Sequence, residues 1–414
     1  MENTFLTSVD IQKVRHLHDI LVPLSDKERK HLILTGKNGS GKTSVLDALS
    51  SFLAYIVGKQ FTPKDEISGM LARLQTRLQT ALPSDASESE RLKHQETERN
   101  LEFLHSQLNM WESGAIVSCT SFATLREKYK SGHFILAYYR ADRLSEVEVS
   151  STIENVQLKN QYALNETPGK KLVKYMVGMK ATQAFAQQKG DTGRAAEIDS
   201  WFTRFENILK RIFDDPALKL DFDIENFQFH ILQSKREPFD FNTMSSGYSA
   251  VFDIINDLMM RMEHTKDYST EGVVLIDEIE THLHLQLQKE ILLFLTELFP
   301  NIQFIVTSHS PFILNSIQNA VIYDLETQKL VADGLSNYPY DGIVEGYFQA
   351  DILSDSLREK LKRYAALVKK PNLSDEDYAE IMELEQDLDE IPDFLSPEIA
   401  SRYNQLKLEF SNKG

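Results

Sequence analysis

The sequence predicts an α/β fold built on a mostly parallel sheet with helices on both faces. An antiparallel β region at the N-terminus, an inserted helical lobe and C-terminal helices complete it. Three observations carry this expectation. Short apolar strands alternate with helical stretches between residues 247 and 324. A glycine-rich turn joins the apolar strand His31–Thr35 to a helical stretch. Polar, leucine-spaced stretches interrupt the pattern from about Lys59 to Gly114.

Taken in order, strand signal runs from Phe5 to Ile11, from about Asp19 to Leu24, and from His31 to Thr35. A helix is expected from Lys42 through Val45, Leu46, Ala48, Leu49, Phe52 and Leu53, which fall on one helical face. Ile67 to Ala81 and Ser87 to Trp111, broken at Leu82-Pro83-Ser84-Asp85, read as a helical hairpin. Leu71, Leu74 and Leu78 read as its packing seam. Phe103 and Trp111 fit either a core or an interface. Phe134 to Tyr139 is apolar strand, and residues 170 to 213 are helical. Leu218 to Ile224 and Phe227 to Leu232 alternate like antiparallel strands. A helix (247–263), a strand (273–276), a helix (285–299) and strands at 302–306 and 321–324 follow. From about Asp351 the chain reads as helices, with an acidic run from Pro371 to Ala400 that fits a solvated face. The expected domains are 1–58, 59–215 (the helical lobe), 216–330 and 331–414 (the helical tail).

Composition narrows the function. The 414 residues carry 45 Lys+Arg against 62 Asp+Glu, a net charge of −17, which argues against a surface that coats nucleic acid. One cysteine, Cys119, permits no intrachain disulfide and no Cys cluster for zinc. Residues 1–10 lack a basic and apolar leader pattern, and no apolar run approaches the ~20 residues of a membrane span. The expectation is a cytoplasmic protein with no membrane partner.

Gly36-Lys37-Asn38-Gly39-Ser40-Gly41-Lys42-Thr43 fits G-x-x-x-x-G-K-[ST]. Glycines let backbone N–H groups turn inward around a phosphate, Lys42 reaches the β- and γ-phosphates, and the Thr43 hydroxyl is a Mg²⁺ ligand. The helix that follows, through Ser44, points its positive end at the phosphates. Val273-Val274-Leu275-Ile276 ends in Asp277-Glu278. Asp277 is placed for the Mg²⁺ shell and Glu278 to orient or deprotonate water. Ile305-Val306-Thr307-Ser308-His309 ends a strand in a polar turn, with His309 expected at the same sheet edge. Ser245-Ser246-Gly247 precedes a helix and offers an anion site.

In this order the four motifs resemble those of the ATP-binding-cassette ATPases, in their SMC-like and RecF-like branch, over residues about 5 to 325. The resemblance implies an ATPase head with ATP and Mg²⁺ as cofactors. Ser245-Ser246-Gly247 is similar to the signature motif, which closes over the γ-phosphate held by a second protomer. A homo-oligomer, at least a head-to-tail dimer, is therefore expected. His309 matches the switch histidine, and Arg15 falls where the family often has Asn-Phe-Arg-Ser-Phe, making it a candidate contact to nucleotide or partner protomer. The stretch Ala137 to Arg143 is expected to take the place of the family's glutamine loop, with Arg140 or Arg143 near the site, and Tyr248 replaces the usual charged residue after the signature glycine.

Glu280-Thr281-His282-Leu283-His284 resembles a segment of the RecF-like and OLD-like ATPases of bacterial defence and repair. It reads as a cross-dimer contact or local turn rather than a metal site. The implied function is an ATP-driven switch that regulates an effector, a nuclease, in an anti-phage system of the Septu or a related type. The alternative is a RecF-like DNA-binding repair ATPase, with Lys170, Lys171, Lys174, Lys180, Arg204, Lys210 and Arg211 as its DNA path. A transporter subunit fits the Glu280–His284 segment and the inserted lobe poorly. Ile343-Val344-Glu345-Gly346 resembles a Toprim acidic motif, but Asp387-Leu388-Asp389 lies in a helical acidic run, so no intrinsic nuclease is expected.

Overall fold

A computed structural model describes residues 3–78, 87–142, 147–148, 152–234, 236–347, 355–389 and 397–411. The expected turn at Leu82–Asp85 and the candidate Arg143 lie outside these residues. The chain forms two compact units that divide between Tyr338 and Pro339.

The first unit opens with β1 (Leu6–Val14) and β2 (Leu17–Pro23), which pair antiparallel. β3 (His31–Thr35) is buried at every residue, as a strand covered on both faces must be. It leads into α1 (Lys42–Val57), whose Val45, Leu46, Leu49, Phe52, Leu53 and Ile56 bury one face. α2 (Lys64–Leu78) and α3 (Glu88–Glu112) form the expected hairpin. α3 starts with a capping box in which Ser87 and Glu90 exchange hydrogen bonds. Leu71 and Trp111 are rooted in the same core as β1, β3 and α1, and Leu74 packs against it. Trp111 packs edge-on against Phe52 and Phe122, whereas Phe103 is 44% exposed.

β4 (Gly114–Cys119) pairs with β1 and completes the antiparallel sheet β2-β1-β4. α4 (Phe122–Lys130), capped by Ser121, leads into β5 (Phe134–Tyr139). The span 59–215 is therefore not wholly a helical lobe, because β4 and β5 return it to the sheets. β4 is six residues long and directly follows a long helix, so its alternation is hard to read. After α5 (Leu172–Gln188) and α6 (Thr192–Ile212) comes the hairpin β6 (Lys219–Asp223) and β7 (Gln228–Leu232).

Next come α7 (Ser246–Met262), β8 (Glu271–Ile276), α8 (Leu285–Leu298), β9 (Ile302–Thr307), the one-turn α9 (Pro311–Leu314), β10 (Ala320–Asp324) and β11 (Leu330–Val331). The main sheet has the order β11-β10-β3-β9-β8-β5 and is parallel throughout except for β11. The C-terminal ends of β3, β9 and β8 thus lie side by side. Open α/β sheets bind ligands at this edge.

The second unit begins with α10 (Tyr340–Gly342). It continues with α11 (Asp355–Lys369), α12 (Asp375–Asp389) and α13 (Pro397–Ser411), packed around Tyr364, Leu367, Val368, Ile381, Leu388 and Tyr403. Asp387 and Asp389 lie on α12 and pair with Lys360 and Lys407. Ile343–Tyr347 is a π-helical turn rather than a strand. Among the described residues no helix is long and apolar enough to cross a membrane.

Candidate active site

The loop from Gly36 to Gly41 joins β3 to α1. Gly36, Gly39 and Gly41 all take positive φ, at 133°, 85° and 97°. Gly41 is the N-cap of α1 in a left-handed conformation that a side chain rarely adopts. No side chain caps α1, and its first turn contains no acidic residue. The first N–H groups of a helix have no partner within the helix, so this start is open to an anion. The Ser40 hydroxyl oxygen is buried in the loop without a hydrogen-bond partner. These features fit a phosphate cradle.

The Lys42 ammonium is buried and donates to the carbonyls of Gly36 (2.9 Å) and Lys37 (3.1 Å). Burial lowers its pKa, and the nearby Glu278, Glu280, Asp277 and Asp324 carboxylates oppose the shift. Thr43 is exposed at the start of the helix, with Ser44 beside it, half-buried. Asn38 and Gly39 are also exposed. A cavity of about 490 Å³ beside the loop is lined by His16, Leu17, His18, Leu325 and Glu326 as well as Lys37–Ser40. Arg15, at the β1–β2 turn with φ 55°, is exposed and is not among its lining residues. Glu326 holds the loop from outside, accepting from the Lys37 ammonium (2.9 Å) and backbone N–H (3.3 Å). Motif reading does not find Glu326, because it arrives from the β10–β11 turn.

Asp277 and Glu278 follow β8. Asp277 is buried, and its backbone N–H donates to the Tyr139 carbonyl at the end of β5 (2.8 Å). Glu278 has φ 44°, a left-handed turn that sends the chain off the strand. The Thr281 hydroxyl donates to the Glu278 carboxylate (3.2 Å). Glu280 accepts from the His309 backbone N–H (2.6 Å). Burial holds the His309 pKa below the ordinary range, Lys42 adds to this, and Glu280, Glu278 and Asp277 oppose it. Lys42, Asp277, Glu278 and His309 therefore share one electrostatic environment. Among the described residues no group of three His, Cys, Asp or Glu side chains forms a metal cage. Of the two residues expected to hold a metal, Asp277 is buried and Thr43 is exposed.

Ser245 and Ser246 start α7 and are exposed. This start also lacks a side-chain cap and acidic residues. Gly247 lies so close to the Glu280–His284 segment that a Cβ would come within 2.9 Å of the His282 carbonyl. His282 has φ 68°, and His284 caps α8 and meets the Tyr248 ring edge-on at 6.1 Å.

Most of the remaining candidates have partners of their own. Arg140 pairs with Asp47 of α1 at 3.2 Å, in a second cavity with Tyr138 and Lys170. Lys174 pairs with Glu148 and Glu154, Lys210 with Glu206, and Arg211 with Glu297. Lys180 lies over Phe202 and Arg204 over Tyr268. Most of the expected DNA path is thus engaged within the protein.

Known proteins are similar in sequence to part of this chain. The chain is 31% identical over 200 residues to the Septu protein PtuA of Bacillus mycoides (strain KBAB4), covering 44% of this chain and 27% of that protein. It is 30% identical over 142 residues to the "Retron Vc95 probable ATPase" of Vibrio cholerae serotype O1 biovar El Tor, covering 31% and 27%. The matches thus span about a quarter of the length of these relatives. A solved SMC head bound to the C-winged helix domain of ScpA aligns over 81% of this chain and 100% of its own, at 12% identity and a TM-score of 0.38. With its phosphate loop, its parallel sheet and a family-model match over residues 32–315, the chain belongs to the P-loop ATPase-domain family described as "AAA domain, putative AbiEii toxin, Type IV TA system".

Proposed function

We propose that the protein is a Mg²⁺-dependent ATPase that acts as a switch, its heads joining head-to-tail on ATP and parting after hydrolysis. The observation that carries this reading is that β3, β9 and β8 end side by side, so that the uncapped start of α1 with Lys42, the Asp277-Glu278 turn and the turn with His309 share one sheet edge. The loop N–H groups and Lys42 bind the phosphates. The Glu278 carboxylate orients the attacking water and takes its proton, and neutral His309 is placed to hydrogen-bond the γ-phosphate or that water. Mg²⁺, when bound, neutralises charge on the phosphate oxygens, and Thr43 and Asp277 are the residues that would hold it.

The exposed Ser245-Ser246 start of α7 supports the dimer. It is uncapped like α1, and a second protomer's γ-phosphate supplies the anion it lacks. The likeness to a Septu protein and a retron ATPase supports a role in anti-phage defence; on this reading the controlled component is a partner effector, a nuclease. The internal pairing of the basic side chains favours this over a DNA-repair clamp. The reading places the protein in the cytoplasm. The test is light scattering of wild type and Glu278→Gln with and without Mg·ATP, alongside phosphate release. ATP-dependent growth in mass, trapped by Glu278→Gln, supports the switch. A constant mass with ordinary turnover would remove it.

A further inference from the structure

One residue ties the end of β8 together. Thr307, the last residue of β9, is fully buried. Its hydroxyl donates to the Asp277 carboxylate (2.6 Å) and accepts the Glu278 backbone N–H (2.7 Å). Its carbonyl accepts the Ile279 N–H (3.1 Å). Three consecutive residues are thereby held by one neighbour in the adjacent strand. The next residue, Ser308, donates its N–H to the Leu34 carbonyl of β3 (3.0 Å), and the Leu325 N–H donates to the Thr35 carbonyl (2.9 Å). The end of β9 therefore joins the strand that carries the phosphate loop to the one that carries Asp277.

We infer that Thr307 is a positioning residue for nucleotide hydrolysis, acting through Asp277 and Glu278 on the site read above. Being buried, it does not touch substrate. Its hydroxyl fixes the buried Asp277 carboxylate and pins the peptide at which Glu278 turns into the left-handed region. Valine keeps the shape and removes both side-chain bonds. The Glu278 N–H and the Asp277 oxygen then each lose a partner, and both side chains gain freedom. Serine keeps the hydroxyl and loses only a methyl.

The test compares Thr307→Val and Thr307→Ser for ATP turnover and for binding of a fluorescent non-hydrolysable ATP analogue titrated with Mg²⁺. The expectation for Thr307→Val is a kcat at least tenfold lower, KM changed less than threefold, and a Mg²⁺ midpoint for analogue binding raised at least fivefold. Thr307→Ser is expected within about threefold of wild type on every measure. If Thr307→Val does not fold, as judged by circular dichroism, Thr307→Ala takes its place. The inference is overturned if the hydroxyl-free variant turns over ATP and responds to Mg²⁺ within twofold of wild type. It is also overturned if Thr307→Ser is as impaired as Thr307→Val, since packing of the methyl would then be the cause. A wild type that binds no nucleotide sinks the reading of the site, and this inference with it. A wild type that hydrolyses ATP, beside an equally active Thr307→Val, sinks this inference alone.

Discussion

Helices α1 and α7 both begin without a side-chain cap, but they spend that vacancy differently. At α1 the chain folds its own glycine-rich loop over the helix start and buries Lys42 there. At α7 the two serines stand exposed, and Gly247 lies against the His282 carbonyl. By contrast α3, α4, α6 and α8 each receive a side-chain cap, from Ser87, Ser121, Asp191 and His284. The same local device is closed within the chain in one place and left facing outward in the other. An anion site that one chain completes suits binding. On the proposed reading, the one it leaves open serves assembly.

Four experiments break or sharpen that contrast. The largest effect belongs to the chemistry beside α1: Glu278→Gln lowers kcat by about 10²–10⁴-fold while nucleotide affinity holds, as phosphate release and calorimetry will show. Turnover at the wild-type rate would remove Glu278 from its role. Next, Lys42→Ala weakens ATP binding by about 10²-fold or more, because a buried charge-assisted contact to phosphate is lost.

The third concerns the strand that carries α1. His31 starts β3, is buried, and accepts the Phe304 N–H at 3.0 Å. Burial, and the charge of Arg29, hold its pKa down at about 4. The folded state therefore favours the neutral ring, and the unfolded chain takes up a proton first as pH falls through about 6.5. Stability is whole above that value, declines towards about pH 4 and levels off below, a loss on the order of 3 kcal/mol. Denaturant melts against pH measure this, and His31→Gln is expected to flatten that limb. The smallest effect on the isolated chain falls at α7. Ser246→Arg leaves nucleotide affinity within about twofold but abolishes ATP-dependent growth in mass and lowers turnover about tenfold. Loss of affinity in that variant would mean that α7 serves its own nucleotide.

The phosphate loop was legible because its parts are contiguous: eight residues, one strand before and one helix after. The apolar run of β8 and its carboxylates were legible for the same reason. β4 and α4 were not, being short and lying between stronger signals. Thr307 reads as an ordinary strand residue, since its bonds reach Asp277 across 30 positions of sequence. Glu326 is likewise placed by a turn 289 positions from Lys37. Arg140, expected near the site through the family resemblance, pairs with Asp47 of α1, a partner that its own segment does not announce. Local pattern reports what one segment does with its own backbone. It is silent where a side chain is assigned by the register of neighbouring strands.

The strand order also sets a timetable for synthesis. Leu32 of β3 is in register with Ile305 of β9, 273 residues later in the chain. At about 5–20 residues per second a ribosome takes on the order of 15–55 s to bridge that interval. Throughout it, a strand destined to be buried at every position has no β9 to pair with, and the glycine-rich loop has no complete sheet edge to stand on. The glycine-rich loop thus leaves the ribosome well before the strand that completes its sheet edge.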